Sequence, residues 1–262
     1  KFSDHRIKYI RNDKNLERCV SRNKGIAEAQ GKYICFLDSD DYHLSNHLSK
    51  LHQAIKDENE ATAFFFTNAV NESESGIRSV RSCPEYNRFN PYTYFLKFTV
   101  NPQRWAVHRD IFQKVMFDPE ITICEDMDTS LRIVNNGFPI FHVDYETTIY
   151  VAASDSFTHG DLQKPEKELH FLTKIFNRKE LKNNLPTKEK WRLLSMCHFH
   201  LSQKAYREQQ KLKLLKHGLL SFIYCPPGYN GKTNKILIVS LIYGMPLLGP
   251  ILKSAIQGSK NE

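Results

Sequence analysis

Two rhythms of apolar and polar positions divide this chain. Unbroken apolar runs at Tyr33-Ile34-Cys35-Phe36-Leu37 and from Ala61 to Phe66 predict strands buried on both faces. Ile7 to Ile10 predicts a further short strand, and Ile140–Val143 and Thr147–Val151 return to strand character. Between these lie helical periods. Cys19 to Gln30 predicts a helix stopped at Gly31; Leu44, Leu48, Leu51 and Ile55 form a stripe; Met127, Leu131 and Val134 mark a helix ending at Asn136-Gly137. Strand, helix, strand is the order of an α/β sheet. Residues 71 to 103 are polar and irregular, with Gly76, Pro84, Pro91 and Pro102 as breaks. After Pro165 the pattern is helical: Leu169, Leu172 and Phe176 form one stripe, and Trp191, Leu194, His198 and Leu201 another. The expected organisation is a mixed domain over residues 1–160 and a helical extension over 161–262. No internal repeat or low-complexity linker interrupts it.

The tail has its own pattern. No charge occurs from Ile236 to Leu252, between Lys235 and Lys253, yet Pro246 and Pro250 break the run. A spanning helix wants ~20 apolar residues without such kinks. The stretch suits a re-entrant or interfacial segment beside the basic residues Lys211, Lys213, Lys216 and Lys232, or a hairpin packed on the protein itself. Lys and Arg number 37 against 29 Asp and Glu, which favours an anionic partner. No RNP-like, helix-turn-helix or zinc-finger motif is present, so nucleic acid is not the expected partner. Six scattered cysteines without a CxxC argue against a disulfide or zinc scaffold and for a reducing compartment.

The chemistry concentrates at Asp38-Ser39-Asp40-Asp41, directly after a predicted buried strand. Like charges in close quarters need water or a cation, and oxygen-rich clusters suit hard ions such as Mg²⁺ or Mn²⁺. Strand ends of open α/β sheets are also where ligands bind. In an extended backbone Asp38 and Asp40 would share one side, with Ser39 and Asp41 on the other. A solvated turn capping the next helix would use the same residues, and the bare spacing leaves both readings open.

Context adds a resemblance. The run Ser21-Arg22-Asn23-Lys24-Gly25-Ile26, the turn Ala29-Gln30-Gly31-Lys32-Tyr33-Ile34, and then Leu37-Asp38-Ser39-Asp40-Asp41 resemble the core motif of family-2 glycosyltransferases. The resemblance implies a GT-A fold: a Rossmann-like mixed sheet flanked by helices that holds a nucleotide-diphospho-sugar. It also implies that Arg22, Asp38 and Ser39 contact the nucleotide-sugar and that Asp40 ligates a Mn²⁺ or Mg²⁺ ion. The family's usual first strands have no counterpart before Asp4-His5-Arg6-Ile7, so the catalytic domain is expected to be N-terminally incomplete.

A second acidic group, Cys124-Glu125-Asp126-Met127-Asp128, falls at a predicted helix start, where the macrodipole favours negative charge. That is ordinary helix-start chemistry, and it is also how a base could be ionised and aimed. The resemblance implies that Asp126 is the general base on the acceptor hydroxyl, that Glu125 helps place the acceptor, and that the anomeric configuration inverts. His159 is a further metal or diphosphate candidate, against a plain loop histidine. His198, on an apolar helix, is expected in the core, and His47 and His52 on a helix surface. The expected partners are a nucleotide-sugar donor and a glycan or lipid-linked saccharide acceptor, at the cytoplasmic face of an inner membrane, in bacterial surface polysaccharide synthesis. The rival reading is a nucleotide-sugar or glycan binding module without catalysis. A metal phosphohydrolase would need a nucleophile or a second-metal histidine cluster, which this sequence does not assemble.

Overall fold

The computed structural model describes residues 4–81, 83–151 and 163–224. In chain order the elements are α1 (Glu17–Glu28), β1 (Tyr33–Cys35), β2 (Tyr42–His43), α2 (His47–Asp57), β3 (Phe64–Glu72), β4 (Arg78–Arg81), α3 (Pro91–Lys97), β5 (Trp105–His108), α4 (Arg109–Phe112), α5 (Glu125–Asn135), β6 (Ile140–Val151), α6 (Lys164–Phe176), α7 (Thr187–Arg207) and α8 (Lys211–Ile223). The strands form one sheet in the order β1-β5-β3-β6-β2, with β4 on β3. Antiparallel register sets Ile34 opposite Val107, Phe65 opposite Ala106 and Tyr42 opposite Ile149. The expected α/β architecture, a sheet flanked by helices and followed by a helical portion, is what the chain adopts.

Two compact units emerge. Of the described residues, the first holds 4–70, 80–81 and 100–150, and the second 71–79, 83–99, 151 and 163–224. The helical unit also includes most of the 71–103 stretch.

In the first unit, β3 explains why three phenylalanines stand in a row. Strand side chains alternate, so a sheet covered on both faces needs apolar residues at every position. Phe65 packs with Leu51, Ile55, Ala63, Ala106 and Val143 on one side. Phe64 turns to the other, where Trp105 lies 5.0 Å away and stacks on Phe117 at 5.8 Å. β1 behaves differently from its apolar sequence. It ends at Cys35 and occupies one end of the sheet order, and of its three residues only Ile34 is buried. Cys35 and, beyond the strand, Leu37 are exposed, while Tyr33 packs partly buried against the Leu51–Phe65 cluster. Ile7 to Ile10 forms no strand, and these residues lie exposed.

Helix registers also shift. The buried face of α2 is His47, Leu51 and Ile55, while Leu48 points outward and Leu44 precedes the helix. In α7, Leu193, Cys197, Leu201 and Ala205 are buried and Trp191 is exposed. The core position is thus Leu193, two residues beyond the expected Trp191. The two strands expected over 140–151 are one continuous β6.

The second unit builds its core from aromatics. Asn90 caps α3, its Oδ1 accepting from Tyr92 N at 3.1 Å and Thr93 N at 3.2 Å, with Pro91 in the first turn. Tyr94, Phe95 and Leu96 are thereby buried, with Tyr86 5.0 Å from the Tyr94 ring. α7 and α8 are cross-linked where Ser195 Oγ donates to Ser221 O at 2.7 Å and Ser221 Oγ donates to Ser195 O at 3.0 Å. His198 is buried as expected, with Nδ1 3.0 Å from His217 Nδ1, and burial pushes its pKa down to about 4. Among the described residues no helix is long and apolar enough to cross a membrane. The 236–252 stretch lies outside the described residues.

Candidate functional site

After β1 the chain does not stay extended. Asp41 N donates to Asp38 O at 3.3 Å, closing a turn that leads into β2. Alternation of side chains fails in a turn. Carboxylate oxygens of Asp38, Asp40 and Asp41 consequently lie within 4.8 Å of one another. Asp41, expected on the opposite side from Asp38 and Asp40, is the third member of the cluster. Asp40 and Ser39 are exposed; Asp38 and Asp41 are half-buried.

Sequence reading had no hold on the group that braces this turn. Gln103, 4% exposed just before β5, donates from Nε2 to Asp38 Oδ2 and, at 3.2 Å, to Asp41 Oδ2. Its own carbonyl accepts from Thr148 Oγ1 at 3.2 Å and lies 2.8 Å from His43 Nε2. The His43 ring stacks on His47 at 3.6 Å, and His47 Nδ1 meets Thr147 Oγ1 at 2.7 Å. His47 was expected on a helix surface. It is 1% exposed instead, and burial, helped by His43, pushes its pKa down to about 4. A neutral hydrogen-bonded layer therefore backs the acidic turn. Three clustered carboxylates with no nitrogen or sulfur donor match the preference of Mg²⁺ and Mn²⁺ for oxygen.

The second acidic group is built differently. Cys124 takes a left-handed backbone, φ +64°, and swings the chain into α5. Glu125 and Asp126 then occupy the first turn, only 6% and 9% exposed. Asp126 Oδ1 accepts from Met127 N at 2.8 Å. Burial, reinforced by Glu125, pushes its pKa up to about 7 against the opposing pull of that hydrogen bond and of Arg22. Asp128, fully buried, pairs with Arg132 at 2.8 Å, and Arg132 also donates to Met116 O at 2.7 Å. That pair anchors the helix.

Arg22 joins the two acidic groups. Its Nη1 lies 3.0 Å from Glu125 Oε1, and its Nη2 lies 3.2 Å from both oxygens of Asp38. Burial opposes its charge, but Asp38 and Glu125 together raise its pKa. Arg18, one helical turn earlier, adds a 3.3 Å contact to Glu125. The i, i+4 spacing of Arg18 and Arg22 was a legible sign of a shared face. Asn23 plays a separate, structural part. Its Nδ2 donates to Phe117 O at 2.8 Å and its Oδ1 accepts from Phe117 N at 3.1 Å. With Cys19 Sγ donating to Ile121 O at 3.1 Å, this ties α1 to the loop entering α5.

The fold thus gathers Arg22, Asp38, Asp40 and Glu125 around one guanidinium and one acidic turn, and sets Asp126 next to Glu125. His159 lies outside the described residues.

Residues 1–116 match the glycosyl transferase family 2 model. An uncharacterized glycosyltransferase of Methanocaldococcus jannaschii is 31% identical over 139 residues, 52% of this chain and 47% of that protein. WcaA of Escherichia coli, a glycosyl transferase named for colanic acid biosynthesis, is 30% identical over 167 residues, 62% of this chain and 56% of that protein. TuaG of Bacillus subtilis, named for teichuronic acid biosynthesis, is 23% identical over 63% of this chain and 64% of its own length. The chain spans about half the length of the first two relatives. Among solved structures, S. aureus TarS 1–349 overlays with a TM-score of 0.52 at 15% identity, covering 94% of this chain and 73% of that one. A TarS complex with UDP-GlcNAc overlays equally, over 92% and 72%. At such identity the overlay speaks for the fold. The first 116 residues of this chain are thus similar in sequence to glycosyl transferase family 2, and the solved neighbours share its fold.

Proposed function

We propose that this chain transfers a sugar, with inversion, from a nucleotide-sugar to a hydroxyl of a glycan or lipid-linked saccharide. The setting is surface polysaccharide synthesis at the cytoplasmic face of a membrane. One observation carries the reading: the Arg22 guanidinium bridges Asp38 and Glu125, so the acidic turn and the buried acidic helix start form one site. The names of the colanic acid and teichuronic acid relatives support the polysaccharide setting. The UDP-GlcNAc bound to TarS supports a nucleotide-sugar donor.

In this reading Asp38 and Ser39 face the nucleotide, and Arg22 holds Asp38 in place. Asp40, with Asp41 beside it, would hold a Mn²⁺ or Mg²⁺ ion, which supplies positive charge against the diphosphate leaving group. Asp126 receives the acceptor proton on its carboxylate, and a pKa near 7 suits a base working at neutral pH. Glu125, fixed by Arg22 and Arg18, orients the acceptor. A single displacement needs one base, hence inversion. His159 is a second candidate for the metal or diphosphate. The proposed catalytic part is residues 1–160, and 161–262 is an extension whose described elements are helices.

Calorimetric titration with nucleoside diphosphates, with and without Mn²⁺, joined to a transfer assay over a nucleotide-sugar panel, tests the proposal. Metal-dependent binding with turnover is the expected result. Binding without turnover would favour the non-catalytic binding module, and silence in both assays would remove the glycosyltransferase reading of the site.

A further inference from the structure

We infer that α8 is a membrane-docking helix whose outer face lies on an anionic lipid surface. The inference rests on the membrane placement proposed above and names the surface responsible. The helix places Leu214, Gly218 and Ser221 against its own unit. At 100° per residue, Leu212, Leu219 and Ile223 fall within an arc of about 40° on the opposite side. They are 84%, 54% and 57% exposed, and Phe222 beside them is 49% exposed. Leaving that much apolar surface in water on one helix line needs an explanation.

Charge selects the occupant. Lys211, Lys213 and Lys216 are exposed on the same helix, which contains no Asp or Glu. Protein interface cores are depleted in lysine, whereas an interfacial helix pairs an apolar stripe with lysines that reach anionic headgroups. A 13-residue helix is about 20 Å long, too short to span a bilayer and suited to lying on one. The sequence beyond α8 points the same way, since Ile236–Leu252 is uncharged and framed by Lys232, Lys235 and Lys253.

The test is co-sedimentation of the full chain with phosphatidylcholine vesicles, with and without phosphatidylglycerol, across a salt series. The expected result is binding to the anionic vesicles that weakens with salt. Leu212→Glu/Leu219→Glu/Ile223→Glu should lower the partition coefficient by at least about tenfold. Lys213→Glu/Lys216→Glu should lower it about fivefold per lysine. Thermal melting identifies any variant that fails to fold, and the lysine variant, which leaves the apolar contacts intact, keeps the test decisive. Wild-type chain left in the supernatant with anionic vesicles would overturn the docking helix and the membrane placement together, without touching donor binding by calorimetry. Wild-type binding that both variants retain would overturn α8 alone. A triple variant that changes the oligomeric state in gel filtration while partitioning normally would assign the face to a second copy of the chain and overturn the inference.

Discussion

The two acidic groups of the site contain the same chemical function in opposite surroundings. Asp38, Asp40 and Asp41 stand on an open turn, braced from behind by the amide of Gln103. Glu125 and Asp126 begin a buried helix, 6% and 9% exposed. Carboxylates on a turn open to solvent can exchange water for a cation or a ligand. A buried carboxylate resists ionisation, and Asp126 is accordingly poised near neutrality. Burial beside Glu125, not residue type, makes Asp126 fit to take a proton, whereas Glu125, equally buried, is paired with Arg22.

That division can be broken experimentally. The largest effect expected is on turnover. Asp126→Asn should lower transfer by about 10²–10⁴-fold while leaving Mn²⁺-dependent nucleoside diphosphate binding nearly intact, whereas Asp40→Asn should weaken both. Transfer at the normal rate in Asp126→Asn would remove the base assignment. Next comes the link between the two groups. Arg22→Ala leaves Glu125 buried with only the more exposed Arg18 and should cost about 3–5 kcal/mol in urea unfolding. A loss below about 1 kcal/mol would mean that the bridge contributes little.

Asp126 also predicts a gain. Its folded pKa lies above the unfolded value, so the ionised carboxylate destabilises the fold, by nothing near pH 4 and increasingly as pH rises to about 7. Asp126→Asn should therefore raise stability by as much as a few kcal/mol above pH 7, with the gain vanishing toward pH 4. Thermal melts of both proteins across pH would show it, and a pH-independent difference would contradict the buried-acid account. The smallest effect sharpens the exposed side. Gln103→Leu removes the donor shared by Asp38 and Asp41 and should weaken nucleoside diphosphate binding about tenfold, with little change in turnover at saturation. A fall confined to turnover would move Gln103 to the other side of the comparison.

Much of the acidic chemistry was legible because it is local. Asp38, Asp40, Arg22 and the Glu125-Asp126 pair sit in short runs that stand out by themselves, while their roles are implied only by the family resemblance. Asp41 was misassigned because a turn broke the alternation on which the expectation rested. Gln103 gave no signal: it lies more than sixty residues from its partners, and only the antiparallel pairing of β5 with β1 brings it near them. The helical stripe of Trp191, Leu194, His198 and Leu201 holds at His198 and Leu201 but fails at Trp191, because burial in α7 runs through Leu193 and Cys197. α3 could have been found, since Asn90-Pro91 is a helix-start signature hidden in a polar stretch. The burial of His47 could not, because its partner Thr147 is a hundred residues away.

The Asn23 clamp on Phe117 has one more consequence. Both of its bonds are between uncharged groups and both are largely shielded from solvent, so dissolved salt has little purchase on them. Arg18, with over a third of its side chain in water, is the contact that ionic strength can loosen. As salt rises, α1 should stay docked on the loop before α5 while the electrostatic grip on Glu125 slackens. Neutral fasteners thus share the placing of α5 with the buried Asp128–Arg132 pair, and the contact through Arg18 is left adjustable.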